Sequence, residues 1–511
     1  MTGNRAERYV YGYRTSADGR RVREYRGRVD PETGELGVPR RRVPRPSGPG
    51  YISSRDLGNV LILYEAARGL GLPEDLGEVF GKDAPWILAL SMVQAIGTEP
   101  VSGSMHSLSR TCIADVLDLR FPSDGRIPIG CTATVSDLGR FFDLRSARCP
   151  GRYLVGVHVG SSGGPTMRPA VMGEGILRTE GGSNVLVSLT PEGVPVSMLA
   201  MSGSPRDVET MCRFVSGARG AGEVTLILQS AFTDAGSLTR FLRLGVDTVA
   251  TSTLLPPPVA RIAERIGDRS LCTEGRTVDG HRCLYTRGRI GVMDGGTRVT
   301  YLDGSDPRLR DCTHVLDVYP TLDTVVNRRG RSALDTRVSE VRSELEGLVS
   351  DDPDGDFRMV ARDAVPYLRH TVRPDGTMHV SARHDVLDPM RRRVGMYVTI
   401  TTGSDWDRAV GLLSMADDTL SDLGPPLDVL DDGDPSKGSD GHRFDRLLRL
   451  VSAMMLARVR GVLRSSGIPL DPRVALSMAS GLRLVTIGDE EAVTDPDGAA
   501  EMVLRAFGIE L

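Results

Sequence analysis

Residues 222–236 read GEVTLILQSAFTDAG. The apolar run Val224 to Leu228 has the character of a strand entering a protein core, and Asp234 to Arg240 that of a helix beginning just after it. Between them stands Gln229, a neutral amide, at the kind of strand end where many nucleic-acid enzymes keep a metal-binding aspartate.

The flanking chain supplies the context. RYLVGVHVG at 152–160, SNVLVSLT at 183–190 and VPVSMLAM at 194–201 read as three strands, the last two joined by the turn TPEG. RDVETMCRFVSGAR at 206–219 then reads as a helix, EVTLILQ as a strand, DAGSLTRFLRLG as a helix and VDTVAT as a strand. A meander followed by alternating helix and strand predicts a mixed α/β fold, in the order expected of a ribonuclease H-like core. The domain boundaries follow from changes in this rhythm. Residues 1–50 form a basic β-hairpin arm, 51–148 a helical domain suited to DNA binding or dimerisation, and 149–254 the first part of the core. Residues 255–390 are an inserted α+β region with a charged helix at 335–350, and 391–511 hold the second part of the core and C-terminal helices. Within that last part, the acidic stretch 417–440 reads as a loop and RFDRLLRLVSAMMLARVRGVL at 443–463 as a long amphipathic helix.

The arm carries its own signal. Residues 8–28 alternate aromatic and β-branched with polar residues around SADGRR, a hairpin pattern. Twelve arginines stand against six acids over residues 1–47, and Arg20, Arg21, Arg40, Arg41 and Arg42 are the candidates for phosphate contact. Over the whole chain the net charge is only −4, so a nucleic-acid surface has to be local. Lys82 and Lys437 are the only lysines, an arginine skew that more often marks a GC-rich genome than a mechanism. Seven cysteines, an odd and widely spaced set without a CxxC pair, argue for reduced thiols and against a zinc or disulfide framework. MTGNRAERYV has no apolar signal core, and no stretch reaches the roughly 18 to 20 apolar residues of a membrane span. The expectation is a soluble cytoplasmic protein without a membrane partner, nucleoid-associated where it holds DNA.

In this order the elements resemble insertion-sequence DDE transposases. RGRVDPETGELGVPRR at 26–41 is similar to the family's opening, LILYEAARGLGLPEDLGEVFG at 61–81 to its helix pair, and EGVPVSMLAMSGSPRDVETM at 192–211 to its third strand, turn and next helix. VTLILQSAFTDAGSLTRFLRLGVDTVAT resembles its strand-helix-strand and GHRFDRLLRLVSAMMLARV its final helix. The resemblance implies DNA transposition by two Mg²⁺ or Mn²⁺ ions held on three carboxylates, because hard cations require anionic oxygens. It places His158 of HVGS at the first acid, Gln229 of LQSAF at the second and Leu420 of LLSMADDTLSD at the third. None of the three is acidic. Asp418 and Asp422 are the possible substitutes for the third, and no cofactor is expected.

The expectation is therefore a catalytically inactive, transposase-related protein that binds DNA as a homodimer. Two alternatives stand beside it. One is an active transposase or nuclease with acids recruited from Asp207, Asp234 or Asp418; the other is a protein-interaction module without DNA binding. Further constellations are weaker. GSSGG at 160–164 lacks the Lys-Ser/Thr of a phosphate loop, and HVSARHD together with His370 lacks ligand spacing. His281, Cys283, Cys312 and His314 form a loose zinc possibility on neighbouring strands.

Overall fold

The computed structural model of the chain describes residues 8–15, 21–29, 36–37, 52–97, 104–120, 133–160, 182–201, 207–219, 223–229, 232–233, 235–252, 266, 274–278, 280–294, 299–303, 306–423, 439–487 and 490–510. Two compact units divide it. The first comprises Met1–Gly151, Leu189–Met198 and Asp422–Leu511, and the second Arg152–Ser188 and Leu199–Ser421.

In the first unit the N-terminal strands are β1 (Arg8–Thr15), β2 (Arg21–Val29), β3 (Leu36–Gly37) and β4 (Ile52–Asp56). The helices that follow are α1 (Gly58–Gly69), α2 (Leu72–Phe80), α3 (Ala84–Ile96), α4 (Ser104–Arg110), α5 (Ile113–Val116) and α6 (Val135–Arg148). Helix α3 is apolar nearly all round, so it is the buried centre of the group. Helix α6 starts at a capping box, in which the Asp137 N–H donates to Thr134 Oγ1 (3.1 Å) and the Thr134 N–H to Asp137 Oδ2 (3.1 Å).

The second unit contains β5 (Tyr153–Gly160), β6 (Gly182–Leu189), β7 (Pro195–Met201), α7 (Asp207–Arg219), β8 (Thr225–Leu228), α8 (Ala235–Leu242) and β9 (Asp247–Ser252), except that Leu189 of β6 and Pro195–Met198 of β7 group with the first unit. The inserted region adds β10 (Glu274–Val278), β11 (His281–Tyr285), β12 (Gly288–Asp294), β13 (Val299–Asp303) and β14 (His314–Asp323). It continues with α9 (Thr324–Leu345), α10 (Pro353–Ala361), β15 (Leu368–Val372), β16 (Met378–Ala382) and α11 (His384–Arg393). The unit closes with β17 (Met396–Thr401) and α12 (Trp406–Leu423), the last two residues of which group with the first unit.

The fold is mixed α/β on a large mixed sheet, whose strands run β10-β11-β14-β17-β9-β8-β5-β6-β7, with β12 and β13 branching from β14. Strands β5, β8 and β9 are parallel neighbours, and β17 lies antiparallel on β9. The turn between β6 and β7 is closed by the Gly193 N–H donating to the Thr190 carbonyl (2.9 Å). Leu154, Leu226, Leu228, Met211, Phe232 and Phe241 form one buried cluster, in which Phe232 meets Phe241 edge to face at 6.4 Å.

The C-terminal elements α13 (Ser439–Ser465), α14 (Pro472–Ala479), β18 (Arg483–Ile487), β19 (Glu490–Val493) and α15 (Gly498–Ala506) belong to the first unit. The segment 391–511, expected to hold the second part of the core and C-terminal helices, is divided between the two units at 421/422. Helix α13 packs along α3, where Gln94 Nε2 donates to Asp445 Oδ1 at 3.2 Å. Strand β18 pairs with β4, β19 with β2, and β2 with β1, so the hairpin expected as a free arm is sheet-bonded to the C-terminal strands. Strands β18 and β19 were missed because five and four residues between helices carry too little alternation.

Two expectations in the second unit also shift. The helix expected at 335–350 is α9, which begins eleven residues earlier, at Thr324. Asp323 caps it, accepting the N–H groups of Val325 and Val326 at 2.9 Å each, and this N-cap signal was hidden by the β-branched Thr324, Val325 and Val326. The acidic stretch expected as a loop from 417 stays helical to Leu423, and 424–438 lie outside the described residues.

A second core surrounds Val341, Leu345, Phe357, Val380 and Leu387 where α9, α10, α11 and the β15–β16 hairpin meet. Just beyond α9, Glu346 accepts the Val380 N–H at 2.8 Å and lies 2.8 Å from His379 Nδ1 and 2.7 Å from Arg373 Nη2. The His379 hydrogen bond, then the Val380 N–H and the Arg373 charge, hold this carboxyl at about 2 against an ordinary 4.5. In the unfolded chain the group takes up its proton first as pH falls. Its contribution to stability is therefore complete above about pH 4.5 and is lost as pH drops toward 2. Glu346→Gln is expected to be less stable than the parent above pH 4.5 and to lose this difference below it, read from denaturant midpoints across the range. Parallel pH profiles for the two proteins would overturn the assignment.

Candidate functional site

The site is built where β8 ends beside β5. Their parallel register pairs Gly156 with Leu228, and one step further the Gln229 N–H donates to the Gly156 carbonyl at 2.9 Å. The Gln229 carbonyl in turn accepts the Phe232 N–H at 3.0 Å, which turns the chain sharply toward α8. Gly156 is required by close packing: a Cβ there would lie 2.7 Å from Met211 Cε and 3.0 Å from Leu228 Cδ2. Helix α7 thus sits close against β5, and the backbone around Gln229 is tied on both sides. The Gln229 side chain is half-buried.

His158 falls on β5 two residues beyond Gly156, and its side chain lies outside the described residues. The first two matched positions therefore lie on adjacent parallel strands, Gln229 just past the end of β8 and His158 within β5. Leu420 sits on α12 and is buried, at 1 % exposure. That helix begins with Trp406 and Val410 packed on Cys283, Tyr285 and Tyr319 of β11 and β14. Of the possible substitutes on the same helix, Asp418 is half-buried, and Asp422 is buried with its charge balanced by Arg460 of α13 at 2.8 Å. Asp207 opens α7 and accepts a hydrogen bond from Asn184 Nδ2 at 3.1 Å, both residues buried. Asp234 lies outside the described residues.

The donor set does not fit a two-metal centre. An imidazole, an amide and a leucine offer no anionic oxygen, whereas two bound divalent ions need several. Among the described residues no group of three or more His, Cys, Asp or Glu side chains is arranged to hold a metal ion.

The weaker constellations resolve into separate contacts. Cys283 pairs across the sheet with Asp323, at one end of β14, while His314 pairs with Val292 at the other. Nine residues of strand separate these levels, on the order of 30 Å at about 3.3 Å per residue, so the four zinc candidates do not converge. His281 Nδ1 lies 2.8 Å from Asp323 Oδ2 instead. His370 meets Asp354 at 3.0 Å, His379 meets Glu346 at 2.8 Å, and His384 lies 3.9 Å from Asp388, three histidines with three different carboxylates. The described cysteines are all free thiols. Of the arm's candidate arginines, Arg21 opens β2 opposite Thr15, while Arg20, Arg40, Arg41 and Arg42 lie outside the described residues.

Sequence reading singled out no basic residue of the inserted region. RRGR at 328–331 within it and RRR at 391–393 just beyond it are plain in the chain but stand sixty residues apart, and the packing of α9 on α11 joins them. Among the described residues no helix is long and apolar enough to cross a membrane. No protein-family model matches the chain, and no curated protein matches it.

Proposed function

We infer that this chain is a transposase-related DNA-binding protein whose ribonuclease H-like core does not cut DNA. The observation that carries this reading is the pair of adjacent parallel strands, β5 and β8, that bear His158 and, just past the end of β8, Gln229 where the resemblance expects acids. Strand order supports the core: β5, β6 and β7 are consecutive neighbours, and β8 and β9 are added parallel to β5 on its other side, with α7 and α8 in the crossovers. In such a sheet the carboxyl ends of the parallel strands are where ligands are bound. An amide there keeps the size and the hydrogen-bonding capacity of a longer acid while removing the charge a metal requires.

DNA contact is assigned to the arginine-rich N-terminal segment, Arg20, Arg21, Arg40, Arg41 and Arg42, with the helices of the first unit as the body that carries it, acting as a homodimer. The purified protein with Mn²⁺ is expected to leave a duplex taken from the DNA flanking its gene uncut, while retaining it at low salt and releasing it steeply as salt rises. Nicking of that duplex would overturn the loss of catalysis. Absence of retention at low salt would overturn the DNA-binding assignment.

A further inference from the structure

The first turns of α9 and the last turn of α11 meet in one tight junction. Gly395, with φ +77°, lies so close to α9 that a Cβ would stand 2.6 Å from the Asn327 nitrogen. Asn327 Nδ2 donates to the carbonyls of Arg391 (3.2 Å) and Val394 (2.6 Å), capping the end of α11. Eight residues along α9, Asp335 holds Arg391 at 2.6 Å. Residues 327, 331 and 335 lie on one helical stripe, so Arg331 is set between these two contacts, facing the Arg391–Arg393 turn. The start of α9 also touches β11, where Thr324 Oγ1 donates to the Arg282 carbonyl at 2.7 Å.

Arg328, Arg329, Arg331 and Arg392 stand on the two helices of this junction, while Arg282 meets it through its backbone carbonyl and lays its guanidinium beside Gly275 of β10; all five are exposed. The neighbouring acids are already engaged. Asp323 caps α9 and meets His281, and Asp335 and Asp388 both hold Arg391. None of the five arginines has an ion-pair partner among the described residues. Arginines thus outnumber acids at the junction, and like charges so collected repel one another, a cost that an anionic partner relieves.

We propose that this junction is a second contact surface for duplex DNA, held by Arg328, Arg329, Arg331 and Arg392 on the phosphate backbone. It deepens the DNA-binding reading given above but uses none of the arm's residues. The geometry selects this partner in three ways. At 100° per residue, Arg328, Arg329 and Arg331 fan over about 160° of the helix surface, which suits a row of phosphates rather than one convergent ion. No aromatic residue stands within RRGR or RRR, so neither motif itself offers a stacking platform for single-stranded bases. Among the described residues, none of the large exposed apolar side chains belongs to α11 or to the first turns of α9, so the apolar insertion of a membrane-surface helix is missing.

The test uses the full-length protein and a short fluorescent duplex of random sequence, titrated with salt. R328Q/R331Q/R392Q is expected to lower the slope of log affinity against log salt by about 2.7, roughly 0.9 for each lost phosphate contact. Its affinity at low salt should fall at least ten-fold, and its thermal midpoint should stay equal or rise because repulsion is removed. R328K/R331K/R392K should keep most of the slope. An unchanged slope in the glutamine variant, an equal loss in the lysine variant, or preferential binding of anionic phosphatidylserine vesicles would each overturn the proposal. The arm variant R40Q/R41Q/R42Q separates the two assignments. Loss in the arm variant alone refutes this surface and keeps the arm. Loss in the junction variant alone does the reverse, and a parent protein that fails to bind duplex refutes both.

Discussion

Asp75→Ala is expected to destabilise the first unit by about 3–5 kcal/mol, the usual cost of removing one partner from a buried ion pair. Asp75 on α2 and Arg145 on α6 are both wholly buried, 2.7 Å apart, and Arg145 Nη1 also donates to the Leu70 carbonyl at 2.6 Å. Arg148 contacts the same carboxylate but is 41 % exposed, so water can solvate it when Asp75 is lost. Arg145 has no such recourse. Its guanidinium would stay buried with a single carbonyl partner, and the penalty is that of an uncompensated charge rather than of a lost contact. Denaturant unfolding followed by Trp86, which is buried on α3 in the same unit, reads the loss. Replacing both groups with apolar residues, Asp75→Leu with Arg145→Met, should recover most of it. A loss below about 1 kcal/mol in the single variant would place the pair among the surface-like ion pairs.

Trp406→Ala is expected to cost the second unit a similar amount, about 3–5 kcal/mol, the range for truncating a buried tryptophan. The indole stacks on Tyr285 with ring centres 4.2 Å apart and planes 4° from parallel, and its Nε1 donates to Thr321 Oγ1 at 3.0 Å. Tyr285 in turn meets Tyr319 edge to face at 6.3 Å. This small aromatic cluster, distinct from the large core that holds α7 and α8, fastens the start of α12 to β11 and β14. Trp406→Phe keeps the stack and loses the hydrogen bond, so its cost should be closer to 1 kcal/mol. Since the chain has two tryptophans, Trp86→Phe leaves Trp406 as a reporter of the second unit alone. Equal costs for the alanine and phenylalanine variants would show that the hydrogen bond, not the stack, dominates.

Much of the second unit's sheet was legible because its signals are local. The runs at 152–160, 183–190 and 194–201 alternate or stay apolar over strand lengths, and TPEG and the helical spacing of 206–219 separate them from Val224–Leu228. Strand β17 was legible as a strand but not as a neighbour. Its pairing of Val398 with Ser252 and of Leu322 with Met396 joins segments separated by a whole inserted region, and many edges could accept such a strand. For the candidate site, residue identity was readable at Gln229, whose flanking Leu228 and Phe232 are both buried in the core, and the register placed it beside β5. Asp422, by contrast, looked available as a substitute acid until Arg460, thirty-eight residues away, was found against it.

By itself the sequence determined which stretches are helices and strands in the meander and crossovers, and that the matched positions carry an imidazole, an amide and a leucine. Those properties depend on backbone sterics and side-chain chemistry over a few residues. Only the tertiary structure decided that the C-terminal strands bond to the N-terminal hairpin, that Asp75 and Arg145 share one buried site, and that RRGR and RRR form one basic surface. Each of these is a choice of partner between distant segments. It is settled by which arrangement buries the apolar faces of both segments together, a condition that no short window of sequence contains.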